Sequence, residues 1–388
     1  MGWLAMLRWG DGCTVAPRDD SATATPTNGN TPMRATNNVS NGRLFGVNLQ
    51  FAICNLQFAI FLLFLSGCWT SSPNNVVVYT SQDSEFSEPI FADFTKTTGI
   101  PVRAKFDTES TKTVGLAAAI SAEKDQPRCD VFWNNEILHT MRLQKQGLLV
   151  AYHPPIADKY PAAFRSPDGL WHGFAARARV LLVNTEKTPK PDRPKSIFDL
   201  ADPRWKGRVG IAKPLFGTTA TQAACLFAVL DEEKAKEFYR SLKANDVQIL
   251  SGNKQVAMGV AGGQLAFGMT DTDDAVIEVE KGMPVEIVYP DQGEGGLGTL
   301  FIPNTLAIIR GCPHQENARR LVAYLLSPEV EKRLAEGPSA QVPLNGEVDA
   351  KVRIATPRTV KAMSVDFAAA ADQWDAAAKF LTDEFTGG

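Results

Sequence analysis

The stretch VVVYTSQDSEFSEPIFADFTKTTGIPVRAKF, Val76 to Phe106, decides the fold. Val76 to Thr80 is an uninterrupted β-branched and aromatic run, the pattern of a strand buried on both faces. Helical periodicity takes over from Glu85 to Thr98, Gly99 ends it, and Ile100-Pro101 blocks its continuation. Val102 to Phe106 is extended again. The rhythm then repeats, with a helix predicted over Val114 to Glu123, a strand over Asp130 to Trp133, and a helix over Ile137 to Gln146 stopped by Gly147. Strands alternating with helices in this way build a mostly parallel sheet covered by helices, so the fold class is α/β.

Two long extended segments lie downstream and far apart, Arg177 to Asn184 (RARVLLVN) and Thr299 to Arg310 (TLFIPNTLAIIR). They suit crossings between two lobes. Between them the spacing predicts helices over Thr219 to Leu230 and Glu232 to Lys243, and a strand over Leu265 to Met269 that enters Thr270-Asp271-Thr272-Asp273-Asp274. The second lobe is thus an insertion: 76–176 open the first lobe, 177–298 form the second, and 299–345 return to the first. Helices over Glu316 to Leu326 and Pro328 to Glu336 belong to the return, and Ala-rich Val365 to Phe385 forms a last helix or pair, with 346–388 packing on the second lobe. A length of 388 residues accords with two such units. In open α/β sheets ligands lie beyond the carboxyl ends of the strands, so with two sheets facing each other the ligand belongs in the cleft.

Working back from Val76, residues 68–75 read as a spacer and 1–67 as an N-terminal extension with a signal segment. Leu44 to Ser66 carries no charge, Arg43 flanks it, and the apolar block Leu56 to Leu65 runs into Ser66-Gly67-Cys68. A positive flank, a short apolar core and small residues before a processing point make a secretory signal. The cysteine directly after Leu65-Ser66-Gly67 resembles a bacterial lipoprotein signal, which implies lipidation of Cys68 and anchoring to the membrane after cleavage. An uncleaved anchor is the alternative, since the uncharged stretch could span a bilayer of about 30 Å. The six-residue segment NLQFAI occurs at Asn48 to Ile53 and again at Asn55 to Ile60, and Met33 offers a more usual start for such a signal.

Lys plus Arg 40 against Asp plus Glu 43 leaves a net charge of -3, with no run of like charges to mark a nucleic-acid surface. Hydrophobic residues at 44% and charged residues at 21% exclude both a disordered chain and a polytopic membrane protein. No Cys-x-x-Cys occurs, and Cys129, Cys225 and Cys312 read as core residues. Gly293 to Gly298 matches G-x-G-x-x-G, but the extended Thr299 to Pro303 follows where a dinucleotide site needs a helix, so it reads as a hinge-side loop. The histidines at 139, 153, 172 and 314 are scattered, and no serine-hydrolase, zincin or P-loop signature is present.

Six motifs occur in order along the mature chain: Val78-Tyr79-Thr80-Ser81-Gln82-Asp83, Phe94-Thr95 with Thr98-Gly99-Ile100, Asp130-Val131-Phe132-Trp133, Arg177-Ala178-Arg179-Val180, Pro203-Arg204-Trp205-Lys206-Gly207-Arg208 and Val342-Pro343-Leu344. Together they resemble the ferric-ion class of periplasmic solute-binding proteins of ABC importers. The resemblance implies a two-lobed periplasmic binding protein of type II, with hinge strands and a ligand cleft. It further implies a non-enzymatic monomer that passes its solute to a membrane permease and ATPase, with no cofactor beyond cargo. That cargo is Fe³⁺ or another hard cation with carbonate or phosphate, or a small zwitterionic or anionic solute. Ferric members use a histidine, a glutamate and an adjacent tyrosine pair. The matching places here hold Asp83, Asn135 with Glu136 beside it, Asp273 and Asp274, and no adjacent tyrosine pair exists in the chain.

Carboxylates can still hold a hard cation, which makes Asp83, Glu136, Asp273 and Asp274 the metal candidates. Gly217-Thr218-Thr219 before a nearly uncharged helix offers amides, hydroxyls and a positive dipole end to an anion, although a threonine there also serves as an ordinary helix cap. Arg177 and Arg179 alternate on a strand and so share a face, suited either to clamping an anion or to salt bridges between lobes. Ser81, Asn135 and Asn253 are neutral hydrogen-bonding candidates, and Asp271 and Thr272 complete an acidic cluster that needs positive charge nearby. A metal-dependent phosphatase on the same scaffold is the rival from another class.

Overall fold

The computed structural model describes residues 74–107 and 113–386, so the expected signal segment and its lipidation at Cys68 lie outside the described residues. Strand β1 (Val76–Thr80) has parallel neighbours at both edges, β2 (Val102–Phe106) and β3 (Val131–Asn134), and its side chains are covered on both faces of the sheet, which is why it is largely apolar. Helices α1 (Ser84–Thr98), α2 (Val114–Ala122) and α3 (Leu138–Lys145) follow these strands in the predicted rhythm. Gly99 closes α1 in the left-handed conformation, φ 73°, with its N–H donating to the Thr95 carbonyl.

Past β3 the sheet departs from the parallel expectation. Strand β10 (Phe301–Ile309) runs antiparallel between β3 and β5 (His172–Asn184), and the short β4 (Leu149–Val150) pairs beside it. β5 starts upstream of the expected Arg177 and changes partners along its length. Its first part pairs with β10, and Arg179 to Asn184 pair with β8 (Phe267–Asp271) and β9 (Val285–Val288). Two further strands, β6 (Val209–Ala212) and β7 (Gln248–Leu250), extend that side in parallel with β8. The order β2-β1-β3-β10-β5-β8-β6-β7 therefore holds two parallel wings joined through antiparallel crossing strands.

The second wing carries α4 (Gly217–Leu230), α5 (Glu232–Ala244), α6 (Asn253–Ala261) and α7 (Thr272–Glu280). The return supplies α8 (Gln315–Leu325) and α9 (Pro328–Glu336). The last element, expected as a helix or pair on the second lobe, is one helix, α10 (Phe367–Thr386), and it touches the first wing as well as the second. Trp374 stands edge-on to His139 of α3 at 4.2 Å, while Phe380 packs on Phe227 of α4 and Phe385 on Tyr239 of α5.

The crossing strands are irregular for a stated reason. Pro303 has no N–H to give the ladder, and the β5–β10 register shifts between Ile302 and Asn304. Opposite it, Ala175 takes φ 43°, unusual for a residue with a side chain. The Asn304 amide fills the gap, donating to the Ala175 carbonyl and to Gln341 Oε1 at 3.0 Å. Glu331 of α9 holds the same point from the other side, its carboxylate accepting the N–H groups of Ala175 (2.7 Å), Leu344 (2.9 Å) and Asn345 (2.9 Å). Burial raises the Glu331 pKa above the ordinary carboxylate value, with these N–H groups pulling the other way. Glu331→Ala leaves three buried N–H groups without an acceptor, at about 1–3 kcal/mol each. The expected outcome in urea denaturation is a loss of at least about 3 kcal/mol, and an unchanged midpoint would refute this role.

Candidate functional site

Strand ends from both wings deliver side chains to one cleft of about 390 Å³. β1 leads through Ser81, Gln82 and Asp83 into α1, and β3 runs on to Asn135. From the second wing, β6 passes Lys213 and Phe216 into α4, β7 passes Ser251-Gly252 into α6, and β8 ends at Asp271, where α7 begins. This is the place where an open α/β sheet puts ligands.

Four helix N-termini, those of α1, α4, α6 and α7, contribute residues to the cleft, and they differ in how their positive ends are treated. α7 has Asp273 and Asp274 in its first turn; α1 has Asp83 at its N-cap and Glu85 in its first turn. Helices α4 and α6 have no acidic residue in the first turn, and their N-cap residues, Phe216 and Gly252, make no side-chain cap. The first amides of α4 and α6 therefore keep the positive end of the dipole for an external anion. Asp271 joins the two kinds of helix end, since it is the N-cap of α7 and its Oδ2 accepts from Thr218 of α4 and Asn253 of α6.

The two arginines lie between these ends, at the point where β5 changes partners. Arg179 is fully buried and faces Asp271 directly across the β5–β8 ladder. Its guanidinium donates to Asp271 Oδ1 (2.7 Å), Gln222 Oε1 (2.9 Å), Asn253 Oδ1 (3.0 Å), Thr218 Oγ1 (3.3 Å) and Thr219 Oγ1 (3.3 Å). Asp271 Oδ2 in turn accepts from Thr218 Oγ1 (2.5 Å) and Asn253 Nδ2 (2.9 Å). Arg177 pairs with Asp273 at 3.0 Å and donates to Gln82 Oε1 at 2.9 Å, linking the second wing to the first. Burial opposes charge on Arg177, but the carboxylates of Asp273, Asp271, Asp83 and Asp274 outweigh it and raise its pKa above the usual guanidinium value.

Ser81, Asp83, Asn135, Arg177, Gly217, Thr218, Thr219, Asn253, Asp271, Asp273 and Asp274 are thus brought together around the cleft. Three expected residues are not. Arg179 lies beneath the wall and braces it, so the two arginines make internal ion pairs in place of a shared anion clamp. Thr272 is buried, its hydroxyl accepting the Ala178 N–H at 3.0 Å. Glu136 is fully buried among donors of its own turn, away from the cleft. Asp273 and Asp274 sit inside the first turn of α7. Sequence reasoning missed Gln82, Lys213, Phe216 and Ser251-Gly252. The last pair repeats the small-residue helix opening of Gly217-Thr218, but the three-residue β7 ahead of it is too short to show as a strand.

Residues 135–371, more than half of the chain, match the family described as bacterial extracellular solute-binding protein. The chain belongs to that family. The solute-binding protein is 26% identical over 286 residues to iron uptake protein A1 of Synechocystis sp., covering 70% of this chain and 78% of the relative. It is 24% identical over 287 residues to a Salmonella typhimurium protein named as a 2-aminoethylphosphonate-binding periplasmic protein, covering 72% of this chain and 81% of the relative. Iron-bound HitA from Pseudomonas aeruginosa superposes with a TM-score of 0.72 at 25% identity, over 81% of this chain and 100% of HitA. The solute-binding protein thus has the type II periplasmic binding fold and serves transport through an ABC importer.

Replacing Arg179 tests the wall of the solute-binding protein. Arg179→Ala leaves Asp271 buried without its counter-ion and is expected to cost about 3–5 kcal/mol of stability. Arg179→Lys should not restore it, because one ammonium cannot reach acceptors spread around a planar fork. Chemical denaturation reads both, and a wild-type midpoint for the lysine variant would remove Arg179 from this role.

Proposed function

We propose that this protein captures a small zwitterion and delivers it to the permease and ATPase of its importer. An anionic phosphonate or carboxylate head lies against the N-termini of α4 and α6, and an ammonium group lies toward Asp83 and Asp274. The observation that carries this reading is the division of the helix N-termini into two acid-bearing and two acid-free ends around one cleft. Its volume suits a small solute. Charge supports a cationic group on the solute, because the lining carboxylates Asp83, Glu85, Asp107, Asp271, Asp273 and Asp274 outnumber Arg177, Lys213 and Lys254. The enclosed Oδ1 of Asn135 has no partner among the described residues, which favours a solute bearing N–H donors. A 2-aminoethylphosphonate, as in the name of the Salmonella relative, carries both charges.

Iron with a synergistic anion is the second reading, favoured by ligand oxygens of Asp271, Asp273 and Asp274 that lie within 4.8 Å of one another. It is the weaker one physically. A trivalent ion at these oxygens would stand beside two buried guanidinium ions already paired with them, and the described lining residues include no tyrosine or histidine. The lining also includes no histidine base for Ser81, whose hydroxyl contacts Asn134 Oδ1 at 3.5 Å, so we read the protein as a receptor rather than a hydrolase. No helix among the described residues is long and apolar enough to cross a membrane, and a lipid on Cys68 would tether the receptor at the membrane surface.

Calorimetry with 2-aminoethylphosphonate, inorganic phosphate and ferric citrate tests the reading. The aminophosphonate should bind saturably. Asp274→Asn should weaken it roughly 10- to 100-fold, the scale of a charge-assisted hydrogen bond, while changing phosphate binding little. Binding of ferric citrate with no response to the aminophosphonate would replace this reading with the metal one.

A further inference from the structure

Glu136 has no part in the cleft, yet it joins the two wings. Its turn lies between β3 and α3, and its carboxylate accepts from Asn134 Nδ2 (2.6 Å), the Leu138 N–H (2.5 Å) and the His139 N–H (3.0 Å), all within that turn. One more donor comes from the other wing, the hydroxyl of Thr221 on α4, which reaches Glu136 Oε2 at 3.0 Å. Both residues are fully buried. Burial alone would favour the neutral acid, but His139 and the surrounding donors prevail and lower the Glu136 pKa. Trp374 covers His139, so the contact lies under the helix that spans both wings.

Its position ties it to the cleft. Asn135, the residue before Glu136, lines one wall, and Thr221 lies just inside the helix whose Gly217 to Thr219 line the other. We propose that the Glu136–Thr221 hydrogen bond is a closure latch: a contact between the wings that favours the arrangement in which both walls face the solute, without touching the solute itself. The turn keeps its own donors when the wings part, so the bond serves the interface more than the fold. Separation strips a buried charged acceptor of a donor, and closing restores it.

Thr221→Val removes only the hydroxyl at constant shape, Thr221→Ser keeps it, and Glu136→Gln keeps an acceptor without charge. The full chain is measured in two ways. Small-angle scattering without ligand should show a larger radius of gyration for the valine variant and a wild-type value for the serine variant. Stopped-flow binding of 2-aminoethylphosphonate should show dissociation about tenfold faster for valine, intermediate for Glu136→Gln and rescued by serine, with association little changed. The kinetic arm rests on the zwitterion reading. If the wild type does not bind this probe, that reading fails and scattering alone judges the latch. A valine variant with the wild-type envelope and, where the probe binds, wild-type dissociation overturns the proposal.

Discussion

A guanidinium ion closed off from water must have its charge and its donors met inside the protein, and Arg179 imposes that demand at the middle of the molecule. Asp271 supplies the charge from the facing position of β8, and the remaining N–H groups go to Thr218, Thr219 and Gln222 of α4 and to Asn253 of α6. Three chain segments far apart in sequence are therefore located by one side chain. The second wall of the cleft is what results when they meet: two helix N-termini and a strand end held in fixed relation. The hydroxyls of Thr218 and Thr219 are taken up by Arg179, Asp271 and Asn253, which leaves the first backbone amides of the helices to serve the cavity.

Arg177 stands two residues earlier on the same strand, and the alternation of a strand puts both arginines on one face. They serve different joins. Arg179 works within the second wing, whereas Arg177 spans from Asp273 to Gln82 of the first wing. It does so at the junction where β5 exchanges β10 for β8, close to the irregular Ala175–Pro303 crossing. A crossing held by Asn304 and Glu331, without a regular ladder, lets β5 leave one wing and enter the other at an angle. The arginine that depends on both wings is thereby placed at the floor of the space between them.

Much of this architecture was legible because the relevant signals are local. Val76 to Thr80 is apolar for burial on both faces, Gly99 ends its helix through a positive φ, and Arg177 and Arg179 share a face by period alone. The antiparallel crossing was not legible, because strand direction is set by distant pairing and β10 reads like any apolar strand. Burial depth was equally hidden. Arg177 and Arg179 look alike in sequence, but one borders the cleft and the other lies below it, a difference fixed by Gln222 and Asn253 arriving from elsewhere. Glu136 misled for the same reason: beside Asn135 it looks placed for a ligand, but it lies past the end of β3 in the turn before α3, and that turn takes up its oxygens away from the wall.

The fold passes through the family more readily than the ligand does, and the residues show why. The motifs Asp130 to Trp133 and Pro203 to Arg208, on which the resemblance rests, sit in strands and turns that build the wings, while the cleft is lined from the tips of loops beyond them. A carboxylate cluster at such tips reads as a cation site only until its counter-ions are located. Here two of the aspartates are matched by guanidinium ions at 2.7 and 3.0 Å, so what remains for the solute is a modest acidic excess. A compact trivalent charge would need that excess concentrated on one point, close to the arginines that repel it. In the zwitterion reading an ammonium asks less, since it needs a carboxylate such as that of Asp274 while the anionic head of the same molecule turns to the amides of α4 and α6.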